Sequence, residues 1–303
     1  MRGGRVIPWI LAAVLFVATE GCMPRHDRPT GGEPVITETD RLKVVWVQSG
    51  VLRREMRVIV CLPEGFRTDG RYPVLYLLHG HANIEDNWFT KVGIQDAYDR
   101  LSAAGRLKPL IMVSPEIDNS WGMNLGAEPR LVGNPDDIKN NSWTGPFEDW
   151  LIKELIPFID GHYPTIPDRD GRYVGGQSMG GLAALHLAFR HPDLFSKVGG
   201  HMPALRAAGE AGNAEALLYP DSETRKARDP LMLAETADLG GMKVWLDVGD
   251  RDRYNFAPGC LRLHEILTSR GVQAEYHLVP GGDHSSAYAK SQVENYLVFY
   301  AGE

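Results

Sequence analysis

The fold of this chain is decided by Tyr173-Val174-Gly175-Gly176-Gln177-Ser178-Met179-Gly180-Gly181, where a short apolar strand meets a tight turn and then a helix. Glycine stands two residues before and two residues after Ser178, which permits the close backbone contacts of a very sharp turn. Residues 182–189 are rich in Ala and Leu, and the helix start directs free N–H groups at the serine. The pattern predicts a serine nucleophile displayed at the end of a sheet strand.

The motif is weak by itself, because the chain contains 33 glycines in 303 residues. A glycine-rich turn that merely exposes a serine is the alternative interpretation. The order of the surrounding elements favours the nucleophile, since an apolar run precedes the turn and a helix-forming run follows it.

The first residues are predicted to be an export signal outside the folded domain. Arg2 and Arg5 precede an uncharged run over 6–18, which is too short for a comfortable membrane span and fits a signal-peptide core. We therefore expect residues 1–21 to be a signal peptide, and the protein to be exported to the bacterial cell envelope or periplasm.

A lipoprotein signal is the more specific interpretation of the same segment. Cys22 follows the apolar run directly after a small residue, as at a bacterial lipoprotein cleavage site, and is a possible lipid anchor to the membrane. An ordinary secretory signal with an incidental cysteine is the alternative. Residues 22–38 are rich in proline, glycine and charge and predict a flexible linker, and 39–303 predict one globular domain.

Charge and cysteine content exclude several classes of protein. The formal net charge is −7 and no run of Lys or Arg occurs, so no nucleic-acid partner is expected. Cys61 and Cys260 are too few for a disulfide framework and are expected to be free. No cofactor motif is present, and His79-x-His81 lacks a metal-ligand pattern, so no metal is expected.

Strands and helices alternate along the rest of the chain. Residues 41–48 and 55–62 predict an antiparallel hairpin at a sheet edge, with a turn at Ser49-Gly50. Further strands are predicted near 73–78, 110–113, 173–174, 198–200, 243–248 and 275–279, and helices at 93–104, 146–160, 179–190, 258–270 and 286–300. This alternation predicts an α/β fold, with a mainly parallel central sheet covered by helices on both faces. Residues 202–236 are weakly periodic and predict an insertion near the site mouth.

A serine nucleophile needs a base and an orienting acid, and in enzymes with this turn the chain order is serine, acid, histidine. His284 is the candidate base, because it lies in a two-glycine loop between the last predicted strand and the last helix. Asp252 is the first candidate for the acid. Asp250 is the second, since it lies in the turn just past the strand and could instead brace the loop.

Two backbone N–H groups are expected to stabilise the oxyanion of the reaction. One belongs to Met179, the residue after the nucleophile. The other belongs to His81, which follows the strand that ends at Leu77-Leu78-His79-Gly80. A plain strand-ending turn is the alternative for this second segment.

Several ordered motifs together resemble the esterase D-like family of α/β-hydrolases, over nearly all of residues 43–300. The motifs are Tyr72-Pro73-Val74-Leu75-Tyr76-Leu77-Leu78-His79-Gly80, Glu148-Asp149-Trp150-Leu151-Ile152-Lys153-Glu154-Leu155-Ile156-Pro157-Phe158-Ile159-Asp160, Gly176-Gln177-Ser178-Met179-Gly180-Gly181 and His191-Pro192-Asp193-Leu194-Phe195. The family includes feruloyl and acetyl-xylan esterases, S-formylglutathione hydrolase, enterochelin esterase and mycolyltransferases. The resemblance implies an α/β-hydrolase fold and a Ser178–His284–Asp252 triad.

The expected function is hydrolysis of a small-molecule or glycan-linked ester, on a carbohydrate, phenolic or siderophore-like substrate. An acyltransferase with the same acyl-enzyme and a non-catalytic, esterase-like binding protein of the envelope are the alternatives. Side chains in the loops near the strand ends are candidates for the substrate pocket, with loop packing as the alternative role. They are Trp88, Glu116, Asp118, Asn119, Trp121 and Trp143.

Overall fold

A computed structural model of the chain describes residues 36–206 and 214–302. The predicted signal peptide, Cys22 and most of the predicted linker lie outside the described residues. Within the described part of the chain, no helix has the length and apolar character needed to cross a membrane.

The centre of the fold is a sheet of eight strands. In chain order they are β1 (Leu42–Ser49), β2 (Arg54–Cys61), β3 (Val74–Leu78), β4 (Ile111–Pro115), β7 (Arg172–Gln177), β8 (Lys197–His201), β9 (Lys243–Gly249) and β10 (Gln273–Val279). The short strands β5 (Arg130–Val132) and β6 (Ser142–Thr144) form a separate antiparallel pair.

In space the eight strands follow the order β1-β2-β4-β3-β7-β8-β9-β10. Strand β2 pairs antiparallel with both β1 and β4, and every other neighbouring pair is parallel. The predicted mainly parallel sheet with an antiparallel N-terminal hairpin at its edge is confirmed. Because the strands from β3 onward are parallel, the loops after them meet at one edge of the sheet.

Helices cover the sheet on both sides. They are α1 (Asn87–Thr90), α2 (Ile94–Ala103), α3 (Phe147–Asp149), α4 (Ile156–His162), α5 (Met179–Arg190), α6 (Glu215–Leu218), α7 (Ser222–Arg228), α8 (Pro230–Thr236), α9 (Ala257–Ser269) and α10 (Ser286–Ala301). A π-helical segment, Trp150–Leu155, joins α3 to α4, so the helix predicted over 146–160 is present in composite form.

The two larger hydrophobic cores lie on opposite faces of the sheet. Along β3, Val74, Tyr76 and Leu78 belong to one core, and Leu75 and Leu77 belong to the other. The first core is completed by α5, α8, α9 and the composite helix, and the second by α1, α2 and α10. Burial on both faces explains why every residue of β3 is apolar.

Three details differ from the sequence prediction. The turn between β1 and β2 spans residues 50–53 rather than Ser49-Gly50 alone, and its last residue, Arg53, adopts a left-handed conformation with φ 56°. The pair β5–β6 and the helices α1 and α6 to α8 were not predicted. These elements are short, so too few residues carry a periodic pattern for the sequence to reveal them.

Both cysteines of the described residues are free and buried, as the sequence predicted. Burial raises the pKa of the Cys61 thiol to about 12, and it raises the pKa of Cys260 as well. Both are therefore protonated and unreactive near neutral pH. Over 36–206 and 214–302, no group of three His, Cys, Asp or Glu side chains is arranged to hold a metal ion.

Candidate active site

Ser178 lies at the turn between β7 and α5 in a strained backbone conformation, with φ 53° and ψ −113°. Close backbone contacts enforce this turn. A Cβ atom on Gly176 would overlap the carbonyl oxygen of Gly180, and a Cβ atom on Gly180 would overlap the carbonyl oxygen of Leu78. The flanking glycines are therefore required by space, and the turn pushes the serine side chain out beyond the sheet.

Two hydrogen bonds connect Ser178 with a histidine and a carboxylate. The Oγ atom of Ser178 lies 2.8 Å from Nε2 of His284, and Nδ1 of His284 lies 2.7 Å from Oδ2 of Asp252. The loop after β10 carries His284, and the loop after β9 carries Asp252. The Asp252 side chain is 1% exposed, so its charge acts on the imidazole with little screening by water.

The two candidate acids do different things in the structure. Oδ1 of Asp252 accepts a hydrogen bond of 2.7 Å from the backbone N–H of Tyr254, which leaves Oδ2 directed at His284. Oδ1 of Asp250 accepts a hydrogen bond of 2.7 Å from the backbone N–H of Gly281. Asp250 therefore braces the loop that carries the histidine, while Asp252 contacts the imidazole itself.

The loop over residues 80–82 lies directly beside the serine. A Cβ atom on Gly80 would be 3.5 Å from Cβ of Ser178. The imidazole Nε2 of His81 bonds to the carbonyl of Asn141 at 3.0 Å, and the N–H of Ala82 donates to Oδ1 of Asn119 at 2.8 Å.

The hydrogen bonds of His81 and Ala82 hold the loop over residues 80–82 from both sides. No hydrogen bond from the backbone N–H of His81 occurs within the described residues. The N–H of Met179 belongs to the first turn of α5, where helix N–H groups have no acceptor in the helix.

Three of the predicted pocket residues do not line the cavity, and two of them, Glu116 and Asn119, hold the segment that ends β3 and the loop after it. Oε1 of Glu116 lies 3.0 Å from Nε2 of His79, at the end of β3, and Asn119 holds Ala82 as described. Asp118 forms an ion pair with Arg54. The prediction that these polar groups face the substrate is corrected, because Oε1 of Glu116, Oδ2 of Asp118 and Oδ1 of Asn119 each contact a partner within the protein and none of the three residues lines the cavity.

The contact between His79 and Glu116 changes the pKa of His79. Burial by itself lowers the pKa of a histidine, but the contact with Glu116 outweighs burial and raises the pKa of His79. Burial also acts on His81, whose pKa is lowered. The imidazole of His81 is therefore neutral near pH 7 beside the serine.

Of the three predicted tryptophans, Trp121 alone lines the cavity. Trp88 is fully buried in the core and donates its Nε1–H to the carbonyl of Leu78 at 3.1 Å. Trp143 packs under the guanidinium of Arg54, which lies 4.9 Å from the ring centre. The pocket prediction for Trp88 and Trp143 is corrected, because both rings find packing partners inside the fold.

A cavity of about 870 Å³ opens around Ser178 and His284. One wall is apolar, and its side chains are Leu182, Met202, Leu205, Leu217 and Leu218. The loop after β9 closes the side near the histidine with Tyr254 and Phe256, whose rings lie edge-on to His284 at 4.8 and 5.4 Å between ring centres.

These two aromatic residues were missed from the sequence. Their position directly after Asp252 was the signal that could have identified them. The predicted insertion over 202–236 contributes to the mouth through its described residues, as Leu205 and Leu217 show.

Comparisons with known proteins agree with this architecture. The family model described as "Putative esterase" matches residues 49–297. An esterase of Mycobacterium tuberculosis is 36% identical over 148 residues, which are 48% of this chain and 28% of that protein. The chain thus matches little more than a quarter of this curated relative's length. Mouse S-formylglutathione hydrolase is 25% identical over 283 residues, which cover 86% of this chain and 93% of that enzyme.

A solved structure of a ferulic acid esterase superposes with a TM-score of 0.67 at 25% identity, and covers 86% of this chain and 98% of that one. The predicted α/β-hydrolase fold is confirmed by this likeness and by the strand order. Since the family model spans most of the sequence, the chain belongs to the esterase D-like family, the one that this model describes.

Proposed function

We propose that this chain is a serine esterase that cleaves a carboxylic ester through an acyl-enzyme. The observation that carries the proposal is the continuous hydrogen-bonded line from Asp252 through His284 to Ser178. This line joins a nucleophile, a general base and an orienting acid at distances that allow proton transfer.

In the first half of the reaction, Oγ of Ser178 attacks the ester carbonyl carbon while Nε2 of His284 takes the hydroxyl proton. Asp252 stabilises the imidazolium that forms. The N–H groups of Met179 and His81 donate to the oxyanion of the tetrahedral intermediate. The intermediate collapses as the bond to the alcohol oxygen breaks, and His284 gives its proton to that oxygen, so the alcohol leaves.

In the second half, a water molecule enters the position that the alcohol has left. His284 takes a proton from this water, whose oxygen attacks the acyl carbon, and then returns the proton to Oγ of Ser178. The carboxylic acid leaves and the serine is restored.

The size of the cavity and the relatives favour a phenolic or carbohydrate-linked ester as substrate. A volume of about 870 Å³ accommodates a group as large as an aromatic acid joined to a sugar. A ferulic acid esterase is among the structural relatives, and an endo-1,4-beta-xylanase/feruloyl esterase of Xylanibacter ruminicola is 34% identical over 129 residues, 41% of this chain and 16% of that protein. We favour an oxygen ester over the thioester of S-formylglutathione because the N-terminus predicts export.

The proposal is tested with Ser178→Ala, assayed on short-chain aryl esters and with a fluorophosphonate probe. We expect hydrolysis to fall by at least about 10³-fold and covalent labelling to disappear. Ser196→Ala is the matched control, since Ser196 precedes β8 at the opposite end of the sheet. Unchanged hydrolysis or labelling in Ser178→Ala would refute the assignment.

The location of the protein is a separate proposal that rests on the sequence alone. We propose export to the cell envelope, with Cys22 as lipid anchor. Mass spectrometry of the mature protein tests both parts. Cleavage before Cys22 with an added diacylglycerol supports anchoring, cleavage without lipid supports export alone, and an intact N-terminus contradicts both.

A further inference from the structure

Two arginines flank the histidine of the site, each placed over an aromatic ring. The guanidinium of Arg206 lies 5.1 Å from the ring centre of Phe256, and that of Arg253 lies 4.9 Å from the ring centre of Tyr254. Both rings contact His284 edge-on, and both arginines line the cavity. The contact with the ring limits the movement of each guanidinium, so less conformational freedom is lost when its N–H groups bind a ligand.

Neither arginine has a carboxylate partner within the described residues. Arg225, another arginine of the cavity, is different, because it pairs with both Glu215 and Asp229. Those two carboxylates are the acidic groups that line the described part of the cavity, and both are already neutralised. The charges of Arg206 and Arg253 therefore remain available to a ligand.

The charge of the cavity wall is opposite to that of the whole chain. Four cationic side chains and two carboxylates line its described part, which leaves a net charge of +2, whereas the chain carries −7. The four are Lys139, Arg206, Arg225 and Arg253. A cationic cavity in an acidic protein attracts anions to this place in preference to the rest of the surface.

The position beside His284 shows which part of the substrate would meet these charges. In the proposed mechanism His284 protonates the oxygen of the departing alcohol, so the alcohol portion of the ester lies on the histidine side of Ser178. The loop of His81 lies against the serine at Gly80 and would hold the carbonyl oxygen. Arg206 and Arg253, held on the rings that touch His284, therefore border the alcohol portion.

We propose that the site selects esters whose alcohol portion carries an anionic group, a carboxylate or a phosphate, which is attracted by the positive charges of Arg206 and Arg253. The planar guanidinium forks of these residues match either oxyanion. This inference rests on the proposed esterase function and adds a substrate class to it.

The experiment compares esters that differ only in charge. 4-Acetoxybenzoate and 4-acetoxyphenyl phosphate place an anion on the alcohol portion, and 4-acetoxybenzamide is the neutral counterpart. Monophenyl adipate and phenyl adipamate form the corresponding pair with the anion on the acyl side. Each kcat/KM is divided by the rate of hydroxide hydrolysis of the same ester, which removes differences in intrinsic reactivity. The carboxylate and phosphate arms identify which oxyanion is preferred.

For the unmodified protein we expect about a 10-fold preference for an anionic over a neutral alcohol portion, and none for an anionic acyl portion. Arg206→Gln and Arg253→Gln should each reduce that preference about 3-fold, and the double variant should abolish it. The preference is the ratio of the two kcat/KM values, so any change that is common to the neutral and the anionic ester cancels. Arg206→Lys and Arg253→Lys, which keep the charge, should retain part of the preference.

Arg262→Gln is the matched control, because Arg262 is an exposed arginine of α9 that pairs with Glu265 and does not line the cavity. Raising the salt concentration from about 0.02 to 0.5 M should weaken the preference of the unmodified protein and leave the double variant unaffected. Melting temperatures check that every variant is folded.

The experiment distinguishes failure of the proposed substrate class from failure of the proposed esterase function. If neutral and anionic acetates are cleaved equally well and the arginine variants change nothing, the substrate class is wrong while the esterase function stands. If the unmodified protein cleaves none of the five esters, both proposals are contradicted.

Discussion

Gly180 lies so close to His79 that a Cβ atom on the glycine would be 2.5 Å from the histidine carbonyl oxygen. This contact joins the first turn of α5 to the end of β3. It brings the N–H of Met179 and the loop after His79 to the same side of the serine. The close approach of these two backbones is therefore what makes a shared oxyanion site possible.

Replacing this glycine should damage the fold as well as the site. Gly180→Ala forces α5 away from β3 and is expected to lower the free energy of unfolding by about 2 kcal/mol or more. Urea unfolding measures the change. Gly161→Ala is the control, since no atom lies within 4 Å of its added Cβ in α4, and it should be neutral or stabilising by about 0.5–1 kcal/mol. Equal stability of the two variants would contradict the packing argument.

The backbone strain at Ser178 predicts a difference between two inactive variants. Glycine adopts a positive φ with less strain than alanine, so the free energy of unfolding of Ser178→Gly should exceed that of Ser178→Ala by about 1–3 kcal/mol. Both should lose hydrolysis. Denaturation of the two proteins under identical conditions decides the point, and a less stable glycine variant would show that the turn is not strained.

The two aspartates after β9 should differ in their effect on catalysis. Asp252→Asn removes the charge that contacts His284 and is expected to lower kcat by about 10³- to 10⁴-fold. Asp250→Asn keeps an oxygen that can accept from Gly281, so we expect a loss of less than about 10-fold. Steady-state kinetics on one aryl ester compares them directly, and the opposite ranking would assign the acid to Asp250.

The surroundings of the Glu148 carboxyl should make the free energy of unfolding depend on pH. Burial alone raises the pKa of its carboxyl, but hydrogen bonds from His186 and His191 and the charge of Arg190 outweigh burial and lower the pKa well below 4.5. The unfolded chain therefore binds a proton at a higher pH than the folded chain does. The stability that Glu148 contributes is complete above about pH 4.5 and is lost as the pH falls toward the folded pKa.

Glu148→Gln should consequently lower the free energy of unfolding by about 2–4 kcal/mol at pH 7, and by progressively less as the pH falls below 4.5. Urea unfolding between about pH 3.5 and 7 measures the loss at pH 7 and its decrease at lower pH. Glu223→Gln, at an exposed pair with Lys226, is the control and should leave stability unchanged. A constant difference between Glu148→Gln and the unmodified protein across this range would contradict the shifted pKa.

Much of the fold followed from local patterns that need no knowledge of distant contacts. The buried strand β3 and the glycines around Ser178 were recognisable because each depends on residues next to it in the chain. The short pair β5–β6 and the helices α6 to α8 were not, because three to seven residues carry too little periodicity. Glu116 and Asp118 were predicted to face the substrate, but their orientation depends on His79 and Arg54.

By itself, the sequence determined the alternation of strands and helices, the sharp turn at Ser178 and the order of the candidate serine, acid and histidine. Only the tertiary structure decided which carboxylate reaches the imidazole, which polar groups are neutralised beneath the cavity and which arginines border it. The physical reason is distance along the chain. Ser178 and His284 are 106 residues apart and Arg54 and Asp118 are 64 apart, so only the packing of the fold brings these side chains into contact.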